Sequence, residues 1–237
     1  MLHSIKQLYG ATLGATDGDI GHVKDFYFDD QHWTVRYLVA DTGSWLPGRQ
    51  VLISPHAIGS LHLAGRVLRV NLTRKQIEAS PSIALHKTVS RQYEDEYHRH
   101  FGWPFYWQGD ALLGMSGVPL VEVPPNPAPN GTTVVGLPKP DHADTHLRSA
   151  LAVSGYNLRT ADETIGHVCD FMLDSQSWVI GKLVIKIGHR FTGKEVQIPM
   201  RQVDRISYEE SAVFVSLTRE AIEQSPAHDL TPVSAVD

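Results

Sequence analysis

The sequence predicts a mainly β fold built twice: two small antiparallel β-barrels, each ending in a short helix, joined by an aromatic insert and a Pro-rich linker. Three observations predict it. First, Ile20-Gly21-His22-Val23-Lys24-Asp25-Phe26 returns as Ile165-Gly166-His167-Val168-Cys169-Asp170-Phe171, and Leu72-Thr73-Arg74 returns as Leu217-Thr218-Arg219. Both recurrences, from 21 to 166 and from 72 to 217, are 145 residues apart, and the same offset relates Leu2 to Leu147 and Ser4 to Ser149. That period exceeds the roughly 20–50 residues of a solenoid repeat, so two copies of one domain are expected. Second, each copy reads as short strands punctuated by turn residues. Third, the hydrophobic alternation slips by one residue inside the longest strand of each copy, the mark of a bulge that bends a sheet toward closure.

In the first copy, Thr16-Asp17-Gly18-Asp19 supplies turn chemistry. Strands are expected at Ile20–Phe28, Thr34–Ala40, Gln50–Ile53, Ala57–Leu63 and Val67–Leu72. Along the first of these, Val23 is out of phase with Ile20, Phe26 and Phe28, and Val168 with Ile165, Phe171 and Leu173. A bulge near Lys24-Asp25 restores one buried face. Val35–Val39 is dense in β-branched and aromatic residues, as a buried pleated surface requires. Thr73 with Gln76 three residues on predicts a capping box for a helix over Arg74–Ala79, and Pro81 follows its end. The second copy repeats the plan with Thr218 and Pro226. The expected organisation is residues 1–85 and 147–227 for the two barrels, 86–117 for the insert, 118–146 for the linker and 228–237 for a tail.

The bulk numbers narrow the function. A net charge of −5 lacks the basic footprint of phosphate-backbone binding, so direct nucleic-acid contact is not expected. The single cysteine, Cys169, excludes an intrachain disulfide and a cysteine-based zinc site. No run reaches the roughly 20 apolar residues of a membrane helix, and no signal-peptide core follows Met1, so a cytoplasmic protein without membrane insertion is expected.

The stretches Asp17–Phe26, Trp33, Tyr37–Gly43 and Val51–Pro55 resemble the PRC-barrel family. That family takes in the cytoplasmic domain of the photosynthetic reaction centre H subunit and the C-terminal domain of ribosome maturation factor RimM. The resemblance covers both copies. Bacterial tandem-barrel members also carry an aromatic stretch between the barrels, similar to Phe101-Gly102-Trp103-Pro104-Phe105-Tyr106-Trp107 here. The resemblance implies an adaptor or assembly role and no catalytic activity. The second copy departs at one loop, where Trp45-Leu46-Pro47 becomes Arg190-Phe191-Thr192.

In the insert, Tyr93, Tyr97 and Phe101 share one face of a short helix. Tyr97, Phe101, Trp103, Phe105, Tyr106 and Trp107 form the candidate interface, either between the barrels or with a partner or second subunit. Gly21, Asp25, Trp33, Gly166, Asp170 and Trp178 recur and are expected to serve the fold. Each aspartate would accept the backbone N–H groups freed by its bulge. His98 and His100, with Glu94 and Glu96 nearby, lack a third ligand and read as a solvated helix face. The acidic pair Asp29-Asp30 sits in a turn, where hydration accounts for it. No nucleophile elbow, phosphate loop or zinc-protease motif is present, so no catalytic, metal or cofactor site is expected. The expected function is a non-enzymatic protein-binding scaffold, as a homodimer or with its barrels paired within the chain. The alternatives are a small-molecule or metal sensor using the loop Gly43–Gly48 and the insert histidines, and an accessory factor in assembling an RNA–protein or photosynthetic complex.

Overall fold

A computed structural model describes residues 1–47, 49–58, 61, 66–81, 91–106, 147–160, 163–188 and 193–227. The expected linker 118–146 and tail 228–237 lie outside these residues, as does Trp107. The first half contributes β1 (Leu2–Ser4), β2 (Thr12–Ala15), β3 (Gly18–Asp29), β4 (Thr34–Asp41), β5 (Gln50–Ile53) and β6 (Val67–Arg69). The second contributes β7 (Leu147–Ser149), β8 (Asn157–Arg159), β9 (Thr164–Asp174), β10 (Ile180–Ile187), β11 (Lys194–Pro199), β12 (Val203–Ser207) and β13 (Ala212–Val215).

The β class is as expected, but the sheets are not closed antiparallel barrels. One runs β5-β4-β3-β2-β6 and the other β11-β10-β9-β8-β13-β12, with no pairing between the ends of either among the described residues. Each also contains a parallel pair, β2 with β6 and β8 with β13. The reason is local. Of the strand expected over Ala57–Leu63, residues 59–60 and 62–63 lie outside the described residues, and Ala57 belongs instead to a 3-10 turn over Pro55–Ala57, where Pro55 has no N–H to give a ladder and the Ser54 hydroxyl caps the turn at His56 N. The chain therefore leaves the sheet after β5 and returns beside β2 in the parallel sense.

The bulges lie where the alternation slips. Between β3 and β4 the register jumps from Val23↔Ala40 to Asp25↔Val39, and between β9 and β10 from Val168↔Ile185 to Asp170↔Val184. Lys24 and Cys169 are the extra residues, and Ile20, Val23, Phe26 and Phe28 all face the core. Gly21 and Gly166 precede them for a steric reason. A Cβ on Gly21 would stand 1.9 Å from the Asp41 carbonyl oxygen, and one on Gly166 2.1 Å from that of Lys186. The helix Arg74–Glu78 carries the full Thr73/Gln76 capping box.

The two halves trade their N-terminal strands. β1 pairs with β9 (Leu2↔Asp174, Ser4↔Met172) and β7 with β3 (Leu147↔Asp29, Ser149↔Tyr27), so each short strand sits on the other half's sheet. Ser4 and Ser149 then cap the short helices Ile5–Leu8 and Ala150–Val153 through Gln7 N and Ala152 N. A second reciprocal seam joins the hairpins: Val35 N donates to Trp178 O at 2.8 Å and Ile180 N to Trp33 O at 2.7 Å. Trp33 and Trp178 hold positive φ, 54° and 60°, to present these carbonyls. One hydrophobic core runs through both halves, with Phe28 and Phe171 ring centroids 5.4 Å apart. Sharing a core adds burial to copies whose small size makes a core of their own marginal.

Candidate functional site

The insert is a helix over Arg91–Phe101 laid on the outer face of the first sheet. Tyr93, Tyr97 and Phe101, one turn apart, meet Tyr37, Val39 and Leu52. Tyr97 is fully buried and its hydroxyl donates to Leu52 O at 2.7 Å. Gly102 ends the helix with φ 68°, and Trp103 folds back to stack on Phe101 at 4.5 Å and 14°. The matching face of the second sheet has Lys182 for Tyr37 and Gln197 for Leu52, and these two pair with each other at 2.8 Å. The aromatic seat for the insert therefore exists in one copy only.

Beside that seam lies a buried polar network. Glu94 is fully buried, and its Oε1 accepts from Tyr106 at 2.7 Å and stands 3.0 Å from the Tyr37 hydroxyl. Pro104 O accepts from His98 Nδ1 at 2.9 Å, which leaves Nε2 as an acceptor 3.1 Å from the same Tyr37 oxygen. Burial holds His98 below the usual imidazole range despite the Pro104 bond, and burial followed by Glu94 drives the Tyr37 phenol well upward. Both groups stay neutral at physiological pH.

A cleft of about 420 Å³ opens where this network meets the second half. Its walls come from four segments: Thr34–Arg36 of β4, the turn Ser54–His56, His98 and Tyr106 of the insert, and the hairpin Gln176–Trp178. Arg36 stacks 3.7 Å above the Tyr106 ring and bonds Asp29 Oδ2 at 2.9 Å.

The recurrent aspartates are absorbed by the fold. Asp25 accepts from Phe26 N at 2.7 Å, as the bulge required, and also from Ser149 Oγ at 2.5 Å and Leu151 N at 3.0 Å. Asp170 does the same with Phe171 N, Ser4 Oγ and Lys6 N. Burial raises the Asp25 pKa, although these donors oppose the rise.

Two expectations are corrected. Asp29-Asp30 is not a hydrated turn: Asp29 is buried against Arg36 and His32, and Asp30 meets Arg148 of β7 at 2.5 Å. Burial pushes the Asp29 carboxyl up, but Arg36, His32 and Gln31 outweigh it and hold it below the usual range. Glu94 and His98 are not a solvated helix face, because their i, i+4 spacing continues the buried stripe; His100 is exposed. The loop after Gly43 is tied at its base, with Thr42 Oγ1 within 2.9 Å of the Leu46 and Arg49 carbonyls and Arg74 over the Trp45 ring, while Gly43, Ser44 and Pro47 are exposed.

Of the six candidate interface residues, Tyr97 is enclosed, while Phe101, Trp103, Phe105 and Tyr106 are partly exposed. No group of three or more His, Cys, Asp or Glu is arranged to hold a metal among the described residues. No described helix is long and apolar enough to cross a membrane. Compared with known proteins, the chain has no match among curated proteins. Its second half, with the 145-residue repeat, paired bulges and capped terminal helix described above, does match a family model: residues 153–222 are a PRC-barrel domain.

Proposed function

We propose that the chain is a non-enzymatic adaptor or assembly scaffold, made of two PRC-type units and presenting the tip of the aromatic insert to a protein partner or a second copy. The first unit is residues 1–85, in which 8–77 stand at the 145-residue offset from the matched domain. The observation that carries this reading is the fate of the recurrent polar residues. Asp25 and Asp170 are buried, and each is saturated by three donors inside the fold. A general base must instead reach the proton it removes. The insert tip supplies the other half of the argument. Gly102 and Pro104 are exposed, and Trp103 and Phe105 only partly covered, on a helix anchored by buried Tyr97. Rigidly held aromatics of this kind bury large area at small entropic cost.

The test is light scattering and quantitative affinity capture with wild type and a Phe105→Ala/Trp103→Ala pair. Loss of a dimer, or loss of a reproducible captured partner, with an unchanged melting temperature supports the proposal. An unchanged mass and an unchanged set of captured proteins overturns the assignment of the tip.

A further inference from the structure

We propose that the cleft between β4, the Ser54–His56 turn, the insert and the second-half hairpin binds a small organic acid, one carboxylate carried on a flat ring. This goes beyond the scaffold reading and does not depend on it.

The site is singular in a duplicated molecule. At the 145-residue offset, Arg36 becomes Gly181, Ser54 becomes Pro199 and His56 becomes Arg201. The positions kept in both copies serve the architecture, whereas these residues occur once and converge on one cavity. Ser54 also caps its turn and Arg36 also holds Asp29, whereas His56 is exposed on the rim. The insert that completes the cavity also occurs only once.

The chemistry of the walls selects the ligand. Among the described lining residues there is no carboxylate, while Arg36 contributes a fixed cation and Thr34, Ser54 and Ser177 contribute hydroxyls. The guanidinium is preorganised, clamped between the Tyr106 ring and Asp29, with its side chain only 16% exposed. Its Nε is shielded from solvent and has no hydrogen-bond partner. Shielded from solvent, Nε is equally out of reach of a ligand in the cleft, which meets the guanidinium at its Nη atoms. A carboxylate matches the planar donor edge of arginine. Asp29 takes up one side of the guanidinium, which limits the site to a single negative charge. Trp178 and Tyr106 line the cleft with aromatic surface, one face of the Tyr106 ring being covered by Arg36. The volume of about 420 Å³ falls at the small end of ligand cavities, which run roughly 300–1,000 Å³.

The test is calorimetric and NMR titration of the full chain with benzoate, with neutral benzamide of the same shape, and with inorganic phosphate. Saturable benzoate binding is expected, with benzamide at least about tenfold weaker, since the charge-assisted bond to arginine is the stronger kind. Arg36→Gln should weaken benzoate at least about tenfold. Because Arg36 also holds Asp29, His56→Ala at an exposed position on the rim provides a second variant, and a weakening of about threefold or more is expected. Three results each overturn the proposal: no saturable benzoate binding up to about 10 mM, benzamide binding as well as benzoate, or benzoate affinity indifferent to both substitutions. Phosphate binding without benzoate binding overturns it too, because the ring walls would then have no role.

Discussion

Ser149→Ala cuts one of the two serine–aspartate ties that cross between the halves. The Ser149 hydroxyl donates to Asp25 Oδ2 at 2.5 Å and accepts from Ala152 N at 2.9 Å, so the substitution removes a bond to a buried carboxylate and an N-cap together. A hydrogen bond to a charged group contributes about 1.5–3 kcal/mol, and loss of an N-cap costs about 1 kcal/mol. The two losses overlap, since Asp25 keeps the Leu151 and Phe26 donors. A destabilisation of about 2–3 kcal/mol is expected. For a chain of this size each kcal/mol shifts Tm by about 2–4 °C, so Tm should fall by about 4–12 °C. Urea denaturation followed by circular dichroism measures the free energy directly. Ser216→Ala, a surface hydroxyl near Gln202, is the control. A double-mutant cycle with Asp25→Asn should return a coupling of at least about 1 kcal/mol. A Ser149→Ala change within about 0.5 kcal/mol of wild type would refute the reasoning, because that is the range of an ordinary surface site.

The remaining predictions are narrower. Gly21→Ala and Gly166→Ala should each cost about 3 kcal/mol or more, or prevent folding, because the new methyl meets backbone rather than a yielding side chain; soluble yield and urea midpoints check this. His98 has a lowered folded pKa, so its contribution is complete above the unfolded value of about 6.5 and is lost as pH falls through and below it. Wild type should therefore lose more stability between pH 7.5 and 5.5 than His98→Gln, and parallel pH curves would contradict the buried network. Burial pushes the Cys169 thiol up to about 12, so iodoacetamide at pH 8 should alkylate the native chain far more slowly than the urea-unfolded one, by mass spectrometry.

Features set by neighbours along the chain were legible in the sequence. The slip at Val23 located the bulge, Thr73 and Gln76 located the capping box, and the tyrosine spacing located the insert helix. Features set by distant partners were not. Three-residue strands such as Leu2–Ser4 carry no periodicity, and nothing local tells Ser4 to seek Asp170. The signal present was the recurrence of Ser4 at Ser149 alongside that of Asp25 at Asp170, two kept polar pairs of which only the aspartates had been given a role. The parallel β2–β6 pairing was hidden by Pro55, whose turn reads as easily as a strand break inside an antiparallel meander. For the cleft, Arg36, His56 and Tyr106 lie far apart in the chain, and the fourth wall comes from the other half. Only the assembled fold brings them together.

The strand trade has a consequence for how such a protein can diverge. A molecule with a single copy would have to borrow its missing strand from another molecule, at whatever concentration the cell provides. Tethering replaces that encounter with an intramolecular one, at an effective concentration set by the length and stiffness of the connection. Once the encounter is guaranteed, the two copies no longer need identical surfaces. Only the residues on the crossing, Ser4 with Asp170 and Ser149 with Asp25, must stay matched, and one sheet is left free to exchange a lysine–glutamine pair for a tyrosine seat.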